Sequence, residues 1–247
     1  MLPEEARLFR RVIVDRFPGG VVPGHAQMFF DRSFMEPDPP HYFSFWSDFY
    51  NDILHQGSCM PGTADAVPLP VAWAVDDRIP APRRLDLVDF LARIATVSQR
   101  DAARGTIPQH LRDEARARLA VHDHAPQLLV RWGRECVALR IGLAALAAIL
   151  PHVAATTGIV PRIRELAAGY REGTATAGFL DFAAQLATGP AEAVLTKVEE
   201  LTAPTADTPW HRANVDASVF DQGVDLVMHM FEAQRLSLHR HRPTGPP

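Results

Sequence analysis

Apolar residues recur at helical spacing along most of the chain. The clearest case is residues 127–150, where Leu128, Trp132, Cys136, Leu139, Leu143, Leu146 and Leu150 step by three or four. This spacing predicts a central core helix. Its second half, IGLAALAAIL, is apolar on nearly every face, so other helices or a bound apolar group should surround it. Pro151 bends or ends it and leaves His152 in an apolar setting. Before this helix, residues 4–16 form a short amphipathic pattern around Leu8 and Val12. From about residue 85, Leu87, Leu91, Ile94 and Val97 make one stripe, with Arg93, Arg100 and Arg104 on another side, and Gly105 and Pro108 end it. A charged helix, QHLRDEARARLAV, follows and closes at a His122-Asp123-His124 turn. After the core helix come three shorter patterns: Ile163, Leu166 and Tyr170; Phe179, Phe182 and Leu186; Val194, Leu195, Val198 and Leu201. A last helix over about 216–238 buries Phe220, Val224, Val227 and Phe231, with Asp221, Asp225, His229 and Glu232 on its other side.

The amino-terminal third reads differently. Pro39 and Pro40 precede HYFSFWSDFYNDILH, in which Trp46, Phe49, Tyr50 and Ile53 share a helical face, and Gly57 offers a left-handed cap at its end. Residues 57–84 carry Pro61, Pro68, Pro70, Pro80 and Pro82, a density that predicts an irregular connection and no central strand. No alternating pattern is long enough to build a sheet. The expectation is an all-α chain forming one helical domain over 1–247, with an irregular arm at 1–40, the connection at 57–84 and a flexible tail at 239–247.

Composition narrows the function classes. Apolar residues make up 47% of the 247, enough for a substantial core. A net charge of -4 with dispersed arginines argues against nucleic acid and against an anionic membrane surface as partner. Cys59 and Cys136 have no metal-type spacing, and no run reaches the length of a membrane span, so a soluble cytoplasmic protein is expected, with a homodimer compatible with the sequence. There is no phosphate-binding glycine loop, no GxGxxG, no G-x-S-x-G, no HExxH and no CxxC.

Histidine and carboxylate remain. One reading is a pair of non-haem irons: Asp48, Asp52 and His55 stand at i, i+4 and i+7, and Asp225, His229 and Glu232 repeat that spacing, with Glu135 a further candidate that Arg131 and Arg134 could neutralise. The bland alternative is that both sets are solvated helix faces. A second reading is haem b, which needs an axial imidazole, an apolar slot and arginines for its propionates. His152 suits the axial position, because Val153, Ala154 and Ala155 let a macrocycle approach. His41 suits the opposite face, with Trp46 as wall and Arg131 as propionate partner. A third reading is a helical binding or regulatory protein without chemistry.

The stretch HYFSFWSDFYNDIL resembles the distal-histidine helix of the tryptophan 2,3-dioxygenase superfamily. Within it the likeness is closer to the bacterial haem-dependent L-tyrosine hydroxylases of antibiotic pathways, whose distal and axial histidines His41 and His152 match in order and interval. Ser98-Gln99-Arg100-Asp101-Ala102-Ala103-Arg104 is similar in kind to the helix with which such dioxygenases hold a substrate carboxylate. The resemblance covers about half the chain. It implies an all-helical, haem-dependent monooxygenase taking a small aromatic amino acid and peroxide or dioxygen, and converting L-tyrosine to 3,4-dihydroxyphenylalanine. In it His41 would move the proton, Arg100 or Arg104 would clamp the carboxylate, and Phe45 and Trp73 would line the substrate pocket. The chain departs from the family in lacking a glycine-threonine-rich carboxy-terminal loop, which leaves His55, His211 and His229 as alternative ligands.

Overall fold

A computed structural model describes residues 3–17, 50–106, 110–202 and 216–240, except Asp52 and Gln56. These residues are almost entirely helical, as the hydrophobic spacing predicts. They gather into two compact units, residues 1–97 with 109–128, and residues 98–108 with 129–247.

The first unit holds α1 (Pro3–Arg16), the two-residue antiparallel strands β1 (Leu54–His55) and β2 (Ser58–Cys59), α2 (Thr63–Ala66), α3 (Pro68–Ala74), α4 (Ala81–Ala95) and nearly all of α6 (Leu111–Leu129). The helix expected to run to Gln56 gives way after Ile53 to the strand pair, and Gly57 takes its positive φ of 88° between the paired His55 and Ser58. Thr63 fastens this turn from the core: its hydroxyl accepts the Met60 N–H at 2.7 Å and donates to the Ile53 carbonyl.

The connection at 57–84 is largely helical, not irregular. Its prolines fall where a helix loses nothing by lacking an N–H. Pro68 and Pro70 occupy the first turn of α3, ahead of its bond from Val71 N–H to Val67 O, and Pro82 occupies the first turn of α4, where the Pro80 carbonyl accepts from both Arg83 and Arg84. The buried face of α3 brings Trp73 against Phe9 of α1 with ring centroids 5.1 Å apart, and the indole N–H donates to the Phe9 carbonyl at 2.9 Å. On the surface, Arg78 ties the α3–α4 turn to α1 by bonding both Asp76 and Asp15. Its hydrogen bonds hold the Asp76 carboxyl below the usual carboxylate range. The stabilisation from Asp76 is therefore complete above that range and is lost as pH falls through the lowered value.

Two long helices expected from the sequence are interrupted. The pattern over 85–104 breaks at Thr96, whose hydroxyl bonds back to the Ala92 carbonyl, separating α4 from α5 (Val97–Arg104). The turn expected at His122-Asp123-His124 is instead continuous helix, because α6 accepts Pro126 and runs to Leu129. The core helix of 127–150 divides into the end of α6, a 3-10 turn (Val130–Arg134) and α7 (Val137–Ile149), and Cys136, expected on the core stripe, is exposed. Arg140 makes the break tolerable. Its guanidinium donates to the carbonyls of Trp132 at 3.0 Å, which also accepts the Glu135 N–H at 3.3 Å, and of Gly133 at 3.4 Å.

The second unit is a bundle of α7, α8 (Pro151–Thr157), α9 (Val160–Ala168), α10 (Ala175–Thr188), α11 (Ala191–Thr202) and α12 (Val219–Arg240), together with most of α5. α10 is its axis, in contact with the other five helices of the bundle. Every residue of 141–150 is buried, as the all-round apolar pattern requires. Pro151 turns the chain by 116° into α8. No single described helix is long and apolar enough to cross a membrane.

α12 approaches α10 and α11 at Gly223, where a methyl would lie 2.7 Å from Leu186 Cδ1 and 3.3 Å from Val194 Cγ1. Gly223→Ala gains roughly 1 kcal/mol of helix propensity, which displacement of the Leu186 methyl offsets, so its stability should stay close to the parent's. Gly223→Ile should lose at least ~2 kcal/mol by overpacking. Urea unfolding of both variants checks this, and an isoleucine variant as stable as the parent would refute the close approach.

Candidate functional site

α5 carries the Gln/Arg segment nominated to hold a substrate carboxylate, and here the structure gives Arg104 another partner. Its Nη2 and Nε lie 2.8 and 3.0 Å from Asp225 Oδ1 on α12, so two guanidinium N–H groups converge on one carboxylate oxygen. The Asp225 side chain is 5% exposed. A buried carboxylate needs a compensating cation, and the guanidinium supplies one. Next to it the buried Gln222 donates from Nε2 to the Ala217 carbonyl at 2.7 Å. Arg100, on the same helix as Arg104, is half-buried.

The Asp225, His229 and Glu232 set, expected on the polar side of its helix, differs in burial along that helix. Residues 222–228 of α12 are buried on every face, and the helix emerges at His229, which is exposed, while Glu232 is half-buried. Burial therefore changes along the axis as well as around it, so a shared face does not mean a shared environment. His55 is exposed at the end of β1 in the first unit, whereas Asp225 belongs to the second; Asp48 and Asp52 lie outside the described residues. Among the described residues, no three histidine, cysteine, aspartate or glutamate side chains are placed to hold a metal ion.

The residues nominated for haem fare as follows. His152 is exposed, not set among apolar groups. α8 buries Val153 and Ala154, and at helical spacing this turns His152, Ala155 and Thr156 outward. Arg131 is 12% exposed in its side chain and bonds Glu135 through Nε at 2.7 Å, the neutralisation the sequence allowed for. Trp73 is fully buried in the first unit against Phe9. His41, Phe45 and Trp46 lie outside the described residues, as does the alternative ligand His211. Of the two imidazoles nominated for the haem faces, His41 and His152, the described residues include that of His152, exposed on α8.

Sequence reasoning passed over the buried charges of the first unit. Asp89 sits inside the apolar run of α4 and accepts from Arg93 Nε at 2.9 Å. Glu114 is buried on α6, and Arg118 of the same helix donates to the Ala95 carbonyl at the end of α4 at 2.6 Å. Their signal was an acid with an arginine four residues later, repeated in 89/93 and 114/118. In both units, then, arginines near the buried acids direct their donors at groups of the chain itself.

Arg104→Met strands a buried carboxylate, while Asp225→Asn leaves a guanidinium that is 54% exposed and can turn to water. Discounting for that exposure, the first change should cost about 2 kcal/mol more than the second. The double variant should recover part of the loss. Denaturant midpoints measure all three, and equal costs for the two single changes would show that Asp225 is not the desolvated partner. No protein-family model, no curated protein and no solved structure matches the chain.

Proposed function

We propose that this chain is a helical binding or regulatory protein whose charged interior residues serve its architecture. The observation that carries the reading is the Arg104–Asp225 pair: one of the two arginines that the resemblance offers as a substrate-carboxylate clamp, Arg100 and Arg104, is engaged by a carboxylate of its own chain. Arg131, held by Glu135, and Trp73, bonded to Phe9, support it in the same way. A clamp already occupied has little to offer a ligand, because releasing it would leave Asp225 buried beside no cation.

The second reading is the haem-dependent hydroxylation of L-tyrosine implied by the resemblance. What favours it is the exposed imidazole of His152 on the first turn after the 116° bend, beside the small residues Ala154 and Ala155. Haem bound there would supply the oxidising chemistry. The di-iron alternative has weaker support, since Asp225 is already paired and is buried while His229 is exposed.

Purification after haem-supplemented expression, followed by an absorption spectrum and iron analysis, separates the three. The binding reading expects no Soret band and no stoichiometric iron, with an unchanged spectrum in His152→Ala. A Soret band abolished by His152→Ala overturns it in favour of the hydroxylase. About two irons per chain without porphyrin, lost in Asp225→Ala, would establish the di-iron protein.

A further inference from the structure

In the first unit, α6 buries Glu114, Ala117, Val121, Ala125 and Leu128 along one side. The exposed side of its first two turns carries two adjacent rows. One row is apolar: Leu111, Ala115 and Leu119 follow each other at intervals of four, all exposed, with the two leucines 60% and 59% accessible. The other is basic, with Arg112 and Arg116 also four apart and exposed. A solvated helix face usually mixes both signs of charge and keeps leucine off its outer side. Arg112 makes no ion pair among the described residues, and Arg116 reaches Asp65 and Asp113 only at 3.6 and 3.9 Å. No exposed carboxylate lies between residues 111 and 119, although the chain as a whole carries a net charge of -4; the first exposed acid of α6 is Asp123, four residues beyond Leu119.

We infer that the outward strip Leu111–Leu119 of α6 is a docking surface for an acidic amphipathic helix of another protein. The inference rests on the binding reading above and gives it a partner class. The strip is about 12 Å long at 1.5 Å per residue, which matches two turns of a partner helix. Ala115, between the leucines, lets that helix come close, and apolar side chains of the partner would cover Leu111 and Leu119. Its glutamates would meet Arg112 and Arg116, whose forked donors suit carboxylates. The charge complementarity selects acid over base. The apolar row selects a protein helix over a phosphate backbone, which would leave the leucines uncovered.

The test titrates the full chain into a fluorescein-labelled 16-residue helical peptide with one glutamate face and one leucine face, read by anisotropy at low and at moderate salt. Saturable binding in the micromolar range is expected, as befits a small interface. It should weaken at least tenfold in Leu111→Ser/Leu119→Ser and in Arg112→Glu/Arg116→Glu, each checked for helix content by circular dichroism. A matching peptide with lysine for glutamate should not bind. The surface is refuted by absence of saturable binding, by binding that the serine variant leaves intact, or by tighter arginine-dependent binding to duplex DNA or phosphatidylglycerol vesicles than to the peptide. A colourless, iron-free protein that ignores the peptide overturns this surface alone, whereas a Soret band or stoichiometric iron overturns the binding reading beneath it.

Discussion

Ten consecutive residues, 141–150, are buried on every side, and the second unit is built to make that possible. A helix without a solvent face must be wrapped, and wrapping at close range demands small side chains on the wrapped element. Gly142, Ala144, Ala145, Ala147 and Ala148 provide them, while Leu143, Leu146 and Ile149 fill the spaces between the surrounding helices. α10 and α12 both contact α7 and each other, and α10 in turn holds α8, α9 and α11. The stacking of Phe179 on Phe231, with centroids 6.2 Å apart, joins α10 to α12.

Close wrapping has an electrostatic corollary. When α12 is enclosed over residues 222–228, the polar groups on those turns lose water and depend on partners inside the protein. Asp225 finds Arg104, and Gln222 finds the Ala217 carbonyl through Nε2, while its buried Oε1 is left without a partner among the described residues. The same rule operates where the chain breaks its helices: Arg140 bonds the carbonyls at the end of the 3-10 turn, and Thr96 bonds the last turn of α4. Arginine recurs in these roles because its planar fork reaches two acceptors while its aliphatic stem lies along apolar neighbours.

Much of the helical architecture is legible from spacing alone, because burying one stripe leaves a period in the sequence that a reader can recover. Leu87, Leu91, Ile94 and Val97 are buried as that period requires, and so are Val224, Val227 and Phe231. What spacing misses is position along an axis and the tolerance of helices for proline. Asp225 and His229 share a face in sequence but differ in depth, since enclosure ends one turn after the aspartate. Prolines at 68, 70 and 82 look like breakers until each is placed in a first turn. The candidate site was the least legible part. His152 lies next to an apolar helix in sequence, but a 116° bend intervenes, and the seven-residue helix after it has its own inward side.

The proline-rich entry to the first unit has a thermodynamic side that its contacts do not reveal. Each of Pro61, Pro68, Pro70, Pro80 and Pro82 fixes one backbone torsion before folding starts, so the denatured ensemble over 57–84 is narrower than that of an ordinary sequence of equal length. Less disorder is surrendered when α2, α3 and the start of α4 assemble. Part of the first unit's stability thus originates in conformations that its unfolded chain is denied.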